Sequence, residues 1–399
     1  MTRICIASSG LGHVARGIEA WADDLGRALA ARGEDVILCK GSGTASEEFE
    51  RVIPCWTRDA NKTRKLLRWM PRWLGWRIGL GSGYAIEQTT FARGLIALLK
   101  AEAADVLHVQ DPHVALLVQK AQQRGVIKTR TVLAHGTEEP FEFQNRITYL
   151  QHLAPWHLAE ARNAGFDKDT WTVLPNFIDT EHFRPGRSDS LRQQLKIPQD
   201  GLVVLASAAI KRHHKRVDYL VQEFRRLLDR HPELKVWLVV AGGREATTDD
   251  VISEAEQWLG ERVRFLVGYP RSAMADLYRA ADIFTLGSLK EMMPIALLEA
   301  TASGLPCVVH HHPVMKWMVG PGGQTADLSN EGGWADAIAP LLHDSQQRGH
   351  LGQRARAHCL GNFSRDRVVD QIRDYYDWVL HHDARNLNAP PLKRTEAAA

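Results

Sequence analysis

Two carboxylates eight residues apart, Glu291 and Glu299, bracket an apolar run in EMMPIALLEATASGLP (291–306). Pro294 suits a first helical turn, and Gly304 with Pro306 stops the helix. Glu291 then falls in the preceding loop and Glu299 within the helix. At roughly 100° and 1.5 Å per residue, the second acid lies about 80° around from the first and about 12 Å along the axis. That separation rules out a close acid–base dyad on one atom. It suits gripping two distant parts of one elongated ligand, with the helix N-terminus near an anionic middle. Two sugar rings joined through a diphosphate have that shape. Met293, Pro294 and Ile295 at the helix start join the two acids as candidate ligand contacts.

Other loops that follow apolar runs also carry chemistry. In AAIKRHHKRVDYL (208–220), Lys211, Arg212, Lys215 and Arg216 crowd together with no acid before Asp218. Such a cluster fits a diphosphate through charge-assisted hydrogen bonds; the plainer reading is a solvated basic loop. Four like charges favour the first, since their repulsion calls for an anion. In SSGLGHVARG (8–17), Gly10, Gly12 and Ala15 spell a G-x-G-x-x-A dinucleotide fingerprint. The next strand, DVILCK, ends in Lys40 rather than the acid a nicotinamide ribose needs. What remains is a glycine loop that lets backbone approach a ligand, and a helix N-terminus that favours an anion. His13 is there either a substrate contact or a surface residue. His135, at the end of a strand in AHGTEE, is either a grip on a polar substrate or a satisfied core histidine. Gly268 in VGYP offers backbone groups to a planar base. HHHP (310–313) invites a metal reading, but neighbours on an extended strand point to opposite faces. No metal site and no cofactor are expected.

These loops need a scaffold. Short apolar runs (RICIASS, DVILCK, DVLHV, RTVLAHG, WTVLPN) alternate with helix-period stretches, and the alternation restarts with LVVLASAA, KVWLVVAGG, RVRFLVG, ADIFTLGS and PCVVHH. Near-continuous apolar strands imply burial on both faces, hence parallel sheets. The expected class is α/β, with two facing doubly wound Rossmann-like domains and a ligand cleft between them, at the carboxyl ends of the strands. Boundaries are drawn at 1–190 for a first domain, 191–365 for a second, 366–385 for a C-terminal helix packing back on the first, and 386–399 for a disordered tail. HFRPGRSDSLRQQLKIPQD (182–200) reads as the linker. The 399 residues suit two domains, and a net charge of +3 is small for a dedicated nucleic-acid binder. Five scattered cysteines without C-x-x-C spacing fit a reducing compartment. MTRICIASSG lacks the apolar length of a signal peptide and no run spans a bilayer, so a cytoplasmic protein is expected, peripheral on the inner face of the membrane at most.

LKEMMPIALLEATASGLP resembles the E-x7-E motif of the retaining glycosyltransferases of family 4, which have the GT-B fold. LPNFIDTEHFRPG (174–186) resembles that family's interdomain signature, and KRVDYLV its Lys-Gly-x-Asp-x-Leu donor segment. The resemblance implies that Glu291 contacts the transferred sugar, Glu299 binds the nucleotide ribose and Lys215 neutralises the diphosphate. It also implies that His135 lies near the sugar, and that the Gly10–Gly12 loop closes over the phosphates. Glu291, His135 and Lys215 are the implied catalytic set. Three departures stand out: Ala209 where the family has arginine, so that Lys211 or Arg212 must supply the charge; Pro294 for glycine; and Arg216 for the glycine after the lysine. The implied reaction is metal-independent transfer of a sugar from a UDP- or GDP-type donor to an acceptor hydroxyl, with retention. Alternatives are a non-catalytic nucleotide-sugar-binding module and, more remotely, the NAD-dependent dehydrogenase.

NKTRKLLRWMPRWLGWRIG (61–79) stands apart. Lys62, Arg64, Lys65, Arg68, Arg72 and Arg77 interleave with Trp69, Trp73 and Trp76, without an acid. Read as one helix kinked at Pro71, it places Leu66, Trp69, Met70 and Trp73 opposite Arg64, Arg68 and Arg72. That pattern fits an anionic membrane surface or lipid-linked acceptor engaged through residues 62–77, or a helix packed on its own sheet. Binding to nucleic acid has no other support in the chain.

Overall fold

The computed structural model describes residues 2–14 and 16–382, with backbone alone for Arg72, Trp76 and Arg77. The described residues divide into two compact units, one formed by those up to Asn176 together with Val368–His382, the other by Phe177–Arg367. The tail expected at 386–399 lies outside the described residues.

In the first unit seven strands, β1 (Arg3–Ser8), β2 (Asp35–Lys40), β3 (Glu50–Val52), β4 (Val106–Val109), β5 (Arg130–His135), β6 (Tyr149–His152) and β7 (Trp171–Val173), form one sheet. Its order is β3-β2-β1-β4-β5-β6-β7, and every pair is parallel. The apolar runs are buried because helices cover both faces: α1 (Gly17–Ala31), α4 (Gly83–Ala101) and α5 (Pro112–Gln123) place Trp21, Phe91 and Val114 in the interior. β3 and β6 escape an apolar-run reading. β6 is YLQH, and its Gln151 is tolerated inside because Nε2 donates to the Leu174 carbonyl at 2.9 Å.

The helix Arg365–His381 closes this unit by burying Val368, Val369, Ile372, Tyr375, Tyr376 and Val379. The Tyr376 hydroxyl lies 2.7 Å from His108 Nδ1, and the Tyr375 hydroxyl donates to the Thr170 carbonyl at 2.7 Å.

The second unit holds β8 (Leu202–Ser207), β9 (Val236–Gly242), β10 (Val263–Val267), β11 (Ile283–Thr285), β12 (Cys307–His310) and β13 (Gly323–Ala326), in the order β10-β9-β8-β11-β12-β13, again all parallel. The segment read as a linker is not loose chain. It carries a helix, Asp189–Gln194, whose Arg192 is buried and donates to Asp282 at 2.7 Å.

Both sheets reverse strand order once. β1 pairs with β2 on one side and β4 on the other, and β8 likewise with β9 and β11. Loops leaving the carboxyl ends at such switch points diverge and leave a crevice. In the second unit these are the loops carrying Lys215 and Glu291.

Candidate functional site

In the second unit, Lys215 and Glu291 meet although 76 residues separate them: Lys215 Nζ donates to Glu291 Oε1 at 2.5 Å. His214 Nε2 lies 3.8 Å from the other carboxylate oxygen. The approach depends on Gly287, after β11, where a Cβ would sit 2.9 Å from the Lys215 carbonyl and 2.8 Å from that of Arg216. The basic loop itself is strained. His214 and Arg216 adopt φ of 68° and 48°, the left-handed region that favours glycine. Arg216 thus occupies, with a side chain, a conformation that suits the glycine its family resemblance leads one to expect. Its guanidinium compensates by donating to the carbonyls of Gly287 and Leu328 and by stacking over Tyr219 at 4.0 Å.

The expectation that four crowded cations need a bound anion does not hold. The protein supplies acids from elsewhere in the chain: Glu291 for Lys215, Glu254 and Asp218 for Arg212, and Glu245 at 4.0 Å for Lys211. Only Asp218 is a local partner; Glu291, Glu254 and Glu245 come from distant parts of the chain.

The helix after Glu291 runs Ile295–Ala302, with Pro294 as its N-cap in extended geometry. Met293 is buried, while Pro294 and Ile295 are half-buried. Glu299 is buried and accepts from the Tyr278 hydroxyl at 2.7 Å. Burial, then the Glu299 charge, push the Tyr278 phenol well above its ordinary range, so it stays a donor. Gly268 sits beyond β10 at φ 68°, its N–H bonded to the Gly242 carbonyl at 2.8 Å.

In the first unit, Gly10 and Gly12 are explained by internal packing. A Cβ on Gly10 would fall 2.0 Å from Glu19 Oε1; one on Gly12, at φ 99°, would fall 2.1 Å from the Ser42 carbonyl oxygen. His13 Nε2 lies 2.9 Å from Glu87 Oε2. His135 ends β5 buried, its ring edge-on to His152 and His157, with Gln144 Nε2 at 3.4 Å from its own Nε2.

The structure adds a polar cluster the sequence reading missed. Around the carboxyl ends of β1 and β4, Arg58 donates to Glu87 at 2.5 Å, and Asp111 accepts from the Ser9 amide at 2.8 Å and the Tyr84 hydroxyl at 3.2 Å. Burial pushes the Glu87 carboxyl up, but the bonds from Arg58 and His13 outweigh it and leave it lowered. Burial wins at Asp111 and Glu19, whose carboxyls are raised. Asp111 had a signal, an acid ahead of proline two residues beyond a buried strand; Glu87, inside a helix, had none.

Residues 61–77 do not form one kinked helix. α2 (Asn61–Trp69) stops, Met70 is extended (ψ 127°) as the residue before proline prefers, and α3 (Arg72–Arg77) begins after Pro71. The single apolar stripe is therefore broken. At HHHP, β12 ends at His310, so strand alternation no longer governs His311. The two rings sit 4.2 Å apart, and His310 Nδ1 lies 3.8 Å from Asp327. Two of the three histidines thus come together, while His312 Nδ1 accepts from the Val314 amide.

Two Rossmann-like domains with all-parallel sheets define a GT-B type of fold. Sucrose-phosphate synthase from Thermosynechococcus elongatus matches with a TM-score of 0.76 at 18% identity, covering 95% of this chain and 99% of that one. Anabaena HepE in complex with UDP-glucose matches with a TM-score of 0.73 at 16% identity, over 95% of this chain and 100% of that one. Within the second unit, residues 187–358 match the family model of glycosyl transferases group 1. The chain is 30% identical over 249 residues to D-inositol 3-phosphate glycosyltransferase of Nocardia farcinica, covering 58% of this chain and 53% of that protein. It is 32% identical over 220 residues to the enzyme of the same name from Saccharomonospora viridis, covering 51% and 49%. The chain spans about half the length of these curated relatives.

Proposed function

We propose that the protein is a retaining glycosyltransferase of family 4, moving a sugar from a UDP- or GDP-type donor to an acceptor hydroxyl without a metal. The observation that carries this reading is the Lys215–Glu291 pair at the β8/β11 switch point, inside the segment that matches the group 1 family model. A nucleoside-diphosphate sugar is supported by the complex of HepE with UDP-glucose.

In the proposed site Lys215 takes the diphosphate and Glu291 the sugar hydroxyls, so both charges exchange partners when donor binds. Glu299, oriented by Tyr278, accepts from the ribose. Met293, Pro294 and Ile295 present the helix start to the phosphates. Lys211 and Arg212, already held by Glu245 and Glu254, steer rather than grip, and Gly268 edges the base. His135 enters on family resemblance as the sugar-side imidazole, and the loop of Gly10, Gly12 and His13 as the cover over the phosphates. Stabilising the leaving diphosphate electrostatically is the main catalytic contribution, and the departing phosphate takes the acceptor's proton. The acceptor is proposed to be lipid-linked, presented at an anionic membrane surface that residues 62–77 engage. No helix among the described residues is long and apolar enough to cross a membrane.

The test is turnover. Purified protein with a panel of nucleotide sugars should release nucleoside diphosphate and give a product of unchanged anomeric configuration by NMR, activity that Glu291→Ala abolishes. Saturable donor binding without turnover in the presence of lipid acceptors would favour the non-catalytic module, consistent with Ala209 and with the N–H missing at Pro294.

A further inference from the structure

Five of the eight large apolar side chains exposed among the described residues fall between positions 56 and 78: Trp56, Trp69, Trp73, Leu74 and Ile78, with Trp69 at 83% and Trp73 at 67%. Soluble surfaces scatter such residues singly, and a concentration marks an interaction site. α2 is a poor candidate for a packed helix, because of its nine residues only Thr63 is buried. Lys62, Arg64, Lys65 and Arg68 stand exposed along it, and no acid occurs from Asn61 to Ile86. Indole rings beside cations, without acids, match the polar–apolar boundary of an anionic bilayer.

Leu67 and Met70 also line a recess of about 260 Å3, with Pro71, Gly75, Leu80 and Gly81, whose wall joins these apolar side chains to backbone polar atoms. Among the described residues no charged side chain lines it. It exists because Pro71 breaks the helix and Gly75 leaves space, a Cβ there falling 3.2 Å from Met70 Sδ and from the Leu80 carbonyl oxygen. Apolar cavities of about 150 Å3 already hold a benzene ring, and a thioether adapts to irregular occupants. Leu67 lies one turn along α2 from the exposed Arg64, so a chain entering the recess leaves its headgroup among cations.

We propose that this recess binds one hydrocarbon chain of an anionic lipid, with the phosphate-bearing head among Arg64, Lys65 and Arg68. The proposal rests on the membrane-surface reading of residues 62–77 and deepens it from a surface to a single-molecule site.

The test uses the full chain and two probes: dodecyl phosphate below its critical micelle concentration, followed by calorimetry, and vesicles of phosphatidylglycerol and phosphatidylcholine, followed by sedimentation. Wild type should bind one equivalent of dodecyl phosphate. Leu67→Trp, which fills the recess, and Met70→Gln, which makes its wall polar at similar side-chain length, should each weaken that binding at least tenfold while vesicle binding persists. Trp69→Ser with Trp73→Ser should do the reverse. Vesicle binding without saturable dodecyl phosphate binding overturns the recess and leaves the surface reading standing. Unchanged dodecyl phosphate affinity in both recess variants also overturns it. Failure of both probes removes both, and donor turnover tests the transferase reading separately.

Discussion

The Lys215–Glu291 pair is mostly shielded from water, so removing one partner strands the other. Lys215→Met should cost about 3 kcal/mol by leaving a carboxylate uncompensated, seen as a lowered denaturant midpoint. Lys215→Met with Glu291→Leu should recover much of that stability and none of the turnover. If the double variant stays as unstable as the single, the pair is not the source of the loss. Individual residues were unevenly legible. Glu291 and Lys215 stood out because their loops follow apolar strands, and Glu299 because it lies eight residues beyond Glu291 in the helix that follows. Asp218 was in view beside Arg212, but Glu254 and Glu245 were not, because they lie far along the chain and meet Arg212 and Lys211 only once β8 and β9 are side by side. Arg216 was visible as an oddity whose reason, a left-handed backbone held by two carbonyls, only the fold supplies.

Among the elements, the glycine loop after β1 shows how one pattern serves packing as well as ligands. Gly12→Ala should destabilise by about 2 kcal/mol or more, combining left-handed strain with a clash against backbone that cannot give way. Gly10→Ala should cost less, and Glu19→Ala should relieve it, because the obstructing atom belongs to a side chain. Urea midpoints of the three variants check the order; equal losses at both glycines would contradict it. The strand–helix alternation was readable because buried parallel strands must be apolar on both faces. The exceptions are physical. β3 is three residues long, β6 carries Gln151 and His152, β13 is GQTA with no apolar run, and the α2–α3 break follows from a local proline rule that an amphipathic pattern averages away.

For the whole molecule, acid should be the vulnerable direction. Burial holds His108 down at about 3, and holds His152 well below its ordinary value, in each case keeping the imidazole neutral. The unfolded chain protonates these histidines near 6.5, so it binds more protons than the folded one below that pH. Their neutral burial therefore costs nothing above pH 6.5, and stability falls as pH drops from 6.5 toward 3. The melting temperature should decline through that window, and less steeply in His108→Asn. An equal slope in the variant would remove His108 from the account. Because His108 bonds Tyr376 and packs edge-on to it, the same titration reports on the docking of the C-terminal helix. That helix was visible from its amphipathic period, whereas its hydrogen-bonded partner on β4 was not.

One further result follows from a lysine that is already occupied. In the proposed site a ligand offering only phosphates would draw Lys215 off its carboxylate and leave Glu291 with His214 alone, 3.8 Å away, whereas an intact sugar donor would satisfy both at once. Wild type should then hold a nucleotide sugar more tightly than the bare nucleoside diphosphate, and Glu291→Gln should narrow the gap by improving the diphosphate alone. Spent donor would be ejected by the reunion of two side chains that its own arrival had parted, and clearance of the site after each cycle would be written into the resting protein.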